Sequence, residues 1–123
     1  MPKKINTPLI RESSEGNIIS ISIFRQGLET PRKTVKLHCY GMAHVITTSR
    51  GNSRILEIVG VEPLCQALTR GYQLAMQTAR EIAREDEFPI LFEGKSGKKE
   101  SLDSKRFLGF LADYFRSEYH ISY

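Results

Sequence analysis

The chain has 123 residues, 40% of them hydrophobic and 26% charged, which suits one soluble globular domain and excludes two ordinary domains or a disordered acidic chain. No apolar run approaches the ~20 residues of a membrane span, and the opening MPKKINTPLIRESSEGN has lysines but no apolar stretch behind them, so no signal peptide, no membrane partner and a cytoplasmic location are expected. Net charge is +4, and it is unevenly spread: residues 1–36 carry a surplus of four basic groups, residues 37–80 a surplus of two, and residues 81–123 an acidic surplus of two. A local positive field of this kind steers polyanions, although an ordinary solvated surface accounts for it equally.

Residues 1–16 are polar, contain Pro2 and Pro8 and end in Glu12-Ser13-Ser14-Glu15-Gly16; they read as a flexible N-terminal arm, leaving 17–123 as a single α+β domain. In NIISISIFRQ, Ile19, Ile21 and Ile23 alternate with Ser20 and Ser22, the period of a half-buried strand over about 17–26. After the loop GLETPRK, alternation continues from Thr34 to Thr48. Its odd positions, Val35, Leu37, Cys39, Gly41, Ala43, Val45 and Thr47, are expected to face the core, and its even positions, Lys36, His38, Tyr40, Met42, His44, Ile46 and Thr48, the surface. Gly41 suggests a bend within this one long strand. Ser49-Arg50-Gly51-Asn52 reads as a hairpin turn and SRILEIVGV as a third strand.

Pro63 suits a first helical position, and Leu64, Leu68, Tyr72, Ala75, Met76, Ala79, Ile82 and Ala83 fall on one stripe of a helix running to about Glu85. PILFEG is a short strand that Pro89 confines to its start or to an edge. GKSGKKE reads as a loop, and Ser101 or Asp103 caps a last helix with an apolar face of Phe107, Leu108, Leu111, Tyr114 and Phe115. The order is β-β-β-α-β-α, which predicts a two-layer α+β domain: an antiparallel meander of three to four strands covered by two helices.

Chemistry-bearing patterns are sparse. Cys39 and Cys65 lack metal or redox spacing and read as buried reduced thiols. On one strand His38 and His44 would lie about 20 Å apart, too far to share an ion. Gly94-Lys95-Ser96 ends like a phosphate-binding loop, but Pro89 stands where the leading glycine belongs. Glu81, Glu85, Asp86 and Glu87 alternate with Arg80 and Arg84, as helix-surface ion pairs do. The element order overlaps the opening of ribonuclease H-like nucleases, yet the isoleucine strand offers no aspartate for a metal. No catalytic residue, metal ligand or cofactor is therefore expected.

Nucleic-acid features are better represented. Lys33, Lys36, His38 and Tyr40, with Arg50 and Arg54 at the hairpin, combine phosphate-pairing cations with an aromatic stacking surface, and Lys95, Lys98 and Lys99 form a second cationic group. Met42 and Ile46 share the expected surface face and suggest a homodimer interface, unless that part of the face packs beneath a helix. The segment RILEIVGVEPLCQALTRGYQLA, about residues 54–75, resembles the strand, glycine turn and alanine-rich helix of Alba-type nucleic-acid-binding proteins. The resemblance implies that Gly60 and the hairpin around Arg50 meet nucleic acid. The family's long hairpin follows its second helix, whereas here it precedes the first, and Val61 and Glu62 replace basic residues at the turn. The expected function is a nonenzymatic DNA- or RNA-binding protein; the alternative is a protein-interaction adaptor or assembly subunit using the same strand face.

Overall fold

A computed structural model describes residues 6–51 and 57–121. Nine elements follow one another: β1 (Pro8–Glu15), β2 (Ile18–Arg25), β3 (Lys33–Tyr40), β4 (Ala43–Ser49), β5 (Glu57–Glu62), α1 (Leu64–Ala83), β6 (Pro89–Glu93), β7 (Lys99–Asp103) and α2 (Ser104–Tyr119). The class is α+β, but the sheet has seven strands rather than three or four, in the order β5-β4-β3-β2-β1-β6-β7. It is also mixed: β1 pairs antiparallel with β2 and parallel with β6. That parallel pairing needs a long crossover, and α1 provides it.

Three corrections to the strand reading have physical causes. Residues 8–15, expected in an arm, form β1, which lies between β2 and β6 and directs Ile10 (0% exposed) and Glu12 (2%) into the core. The expected long strand over 34–48 is a hairpin. Gly41, with φ of 63°, supplies the left-handed residue of the turn, and Tyr40 pairs with Ala43 across it. A two-residue turn reverses the phase of the alternation, so the core side is odd in β3 (Val35, Leu37) but even in β4 (His44, Ile46, Thr48). Finally, the presumed lysine loop closes a hairpin between β6 and β7; the alternation of KESLD is too polar to register as a strand.

Both helices pack on one face of the sheet. On α1, Leu68, Tyr72, Ala75, Ala79 and Ile82 are buried, as their spacing predicts, and Pro63 caps the helix instead of opening it. Gly71 sets how closely α1 approaches: a Cβ there would stand 3.0 Å from Ile21 Cδ1 and 3.3 Å from Leu37 Cδ1. On α2, Asp103 accepts a hydrogen bond from the Lys105 N–H at 3.1 Å, and Phe107, Leu111 and Phe115 are buried, while Leu108 is 61% exposed. Tyr72 meets Phe92, Phe107 and Phe115 with ring centroids 5.5–6.2 Å apart, joining both helices and the sheet in one core. No helix among the described residues is long and apolar enough to cross a membrane.

Candidate functional site

Among the described residues no helix covers the second face of the sheet, and the registers fix what it presents. One row across it reads Ser13, Ser20, Lys36, Thr47; the next reads Arg11, Ser22, Thr34, Ser49; a third reads Ile18, His38, Val45, Val61. Isoleucine points inward from β2 because α1 covers that side, and serine is left to point outward by the period of two. β2, β3 and β4 contain no acidic residue. Lys36, His38 and Tyr40 project from alternate positions of β3, half-exposed at Lys36 and His38 and 66% exposed at Tyr40. The His38 Nε2 lies 3.0 Å from Thr47 Oγ1 across the β3–β4 pair, which orients the ring. Toward β6, Arg11 stacks on Phe24 at 5.0 Å and pairs with Glu93 at 3.2 Å; Lys99 reaches the same carboxylate at 3.9 Å.

The remaining candidates are dispersed. Lys33 is in register with Ile23 on the helix side and lines a cleft with Arg50, so neither belongs to the Lys36 face. Arg54 lies outside the described residues. Lys95 and Lys98 flank the β6–β7 turn at the far end of the sheet, where Lys98 pairs with Glu100 at 3.6 Å and the Lys95 ammonium sits 5.0 Å from the centre of the Tyr119 ring. His38 and His44 point to opposite faces because the turn intervenes. The pairing of Met42 with Ile46 as one surface also fails: Met42 occupies the turn and is 92% exposed, whereas Ile46 is fully buried in the core. Gly60 lies within β5 and not in a turn. Cys39 and Cys65 are free and half-buried. Among the described residues no three metal-ligating side chains converge.

Glu12 is a polar centre that composition did not reveal. Its carboxylate accepts hydrogen bonds from three tyrosine hydroxyls: Tyr72 from α1, and Tyr114 (2.9 Å) and Tyr119 from α2. The Tyr114 hydroxyl also accepts from the Lys95 backbone N–H at 2.9 Å, tying in the β6–β7 turn. Burial raises the Glu12 carboxyl above its ordinary value, against the lowering effect of the three hydroxyls and Lys95. Burial and then the neighbouring carboxylate raise all three phenols. Alternation of Ile10, Glu12 and Ser14 against Leu9, Arg11 and Ser13, just before the turn formers Gly16-Asn17, is the available sequence signal. Buried carboxylates with perturbed titration mark active sites or structural networks; here every oxygen is engaged by a phenol, which makes a latch between β1 and both helices. Comparison of the chain with protein-family models, with curated proteins and with solved structures found no match.

Proposed function

We propose that the helix-free face is a nonenzymatic binding surface for single-stranded nucleic acid, DNA or RNA. The observation that carries this is the line of Lys36, His38 and Tyr40 along β3, at the centre of three strands without a carboxylate. An exposed phenol and an imidazole supply flat faces for bases, Lys36 supplies a phosphate partner, and the serine and threonine rows supply hydrogen bonds that discriminate little between sequences. A sheet face without a covering helix leaves room for splayed, unstacked bases, which a duplex keeps paired inside.

Fluorescence anisotropy of labelled single-stranded and duplex oligonucleotides, titrated at several salt concentrations, tests this. Lys36→Gln is expected to flatten the slope of log affinity against log salt by about 0.7 on single strands, and Tyr40→Ala to weaken single-strand binding by about 1–3 kcal/mol with the slope unchanged. Absence of binding to either ligand at low salt overturns the proposal. One observation favours a protein partner, including a second copy of this chain, instead: Tyr40, Met42, Ile58 and Val61, 57–92% exposed, gather toward the unpaired β5 edge. Association that persists at high salt and is lost in Ile58→Lys would select that reading.

A further inference from the structure

At the end of the sheet where β3 begins and β4 ends, a cleft of about 370 Å³ opens on the helix side. Lys33, Thr48, Ser49 and Arg50 line it, so two cations and the Thr48 hydroxyl share one volume, while Ser49, in register with Thr34, turns its side chain to the opposite face. Neither cation forms an ion pair within 4 Å among the described residues. Val59 and Leu74 give the cleft an apolar wall, and one carboxylate, Glu57, stands at its side.

We propose that this cleft binds a ribonucleoside monophosphate group. A phosphomonoester offers several acceptor oxygens and about two negative charges, which answers Lys33, Arg50 and the Thr48 hydroxyl together. The apolar wall takes the base, since recognition clefts of this size combine apolar area with a few placed polar groups. Glu57 would oppose an inorganic anion, but a sugar with vicinal hydroxyls turns it into an acceptor for both. The carboxylate thereby specifies a ligand that carries donors as well as phosphate. The cleft lies behind the face bearing Lys36, so the inference stands independently of the strand-binding proposal.

Amide chemical shifts of the 15N-labelled full chain, followed during titration, provide the test. Adenosine 5′-monophosphate is expected to shift Thr48, Ser49, Arg50 and Val59, with adenosine and inorganic phosphate each binding at least about tenfold more weakly. Lys33→Gln with Arg50→Gln should abolish the effect, whereas Lys36→Gln leaves it unchanged. Replacing the nucleotide by its 2′,3′-dideoxy analogue should cost about tenfold in the unmodified protein and nothing in Glu57→Ala. A 5′-phosphorylated trinucleotide that binds as well as the free nucleotide assigns the cleft to strand ends, and one that does not enter assigns it to the mononucleotide. The proposal is overturned if the nucleotide leaves these amides unmoved, if adenosine binds equally well, or if the double variant binds unchanged. Both substitutions are at surface positions, so a dispersed spectrum of the variant serves as the folding control.

Discussion

Replacing Glu12 probes the latch that holds the first strand to the last helix. The side chain is 2% exposed and accepts from Tyr72, Tyr114 and Tyr119. Glu12→Ala leaves the Tyr72 hydroxyl buried without an acceptor, a loss of about 1–3 kcal/mol. With the cavity added, the total should reach about 3–5 kcal/mol. Glu12→Gln keeps the volume and removes the titration, which makes it the control for pH. Because burial raises the folded carboxyl above its ordinary 4.5, the folded protein retains the proton at a pH where the unfolded chain has lost it. The contribution of this group is therefore fully present below pH 4.5 and declines as pH rises through the folded value. Urea denaturation between pH 4 and 8 should show the advantage of the unmodified protein over Glu12→Gln shrinking with pH, by at most about 1.4 kcal/mol per unit. The phenols act in the same direction at alkaline pH. Tyr72 is raised well above 10, so its stabilising contribution is intact below pH 10 and lost above it, and Tyr72→Phe should blunt alkaline unfolding. A difference between unmodified protein and Glu12→Gln that is constant over pH 4–8, or that grows with pH, refutes the reasoning.

Deleting residues 1–16 removes β1 from between β2 and β6 together with Ile10 and Glu12, and circular dichroism of the truncated chain should show no cooperative thermal transition. Ile46→Lys places a charge at a fully buried position and should likewise abolish the folded state, whereas Met42→Lys, in an exposed turn, should change stability by less than about 0.5 kcal/mol, both read by the same melt.

The difference between these outcomes follows from what a periodic pattern contains. Both helices were legible because their apolar stripes are continuous and their neighbours polar, and β2 because isoleucine alternates with serine without interruption. β1 was not, since its inward position 12 is a carboxylate. The groups that satisfy it lie 60, 102 and 107 residues further along the chain, beyond the reach of any local window. In the segment from Thr34 to Thr48 the alternation is real but its phase is not fixed by composition: a two-residue turn at Gly41-Met42 exchanges the two faces. That single turn sends Ile46 into the core and leaves Lys36, His38 and Tyr40 outward. The candidate site inherits the same dependence. Lys36, His38 and Tyr40 were legible as a set because they share the even positions of β3, while Lys33, at an odd position of the same strand, lines a cleft on the helix side with Arg50. Basic residues close in sequence are thus parted by the alternation of β3 and by the change of phase at Gly41-Met42: Lys36 lies in an open row with His38 and Tyr40, whereas Lys33 and Arg50 line a cleft with a carboxylate, Glu57, at its side.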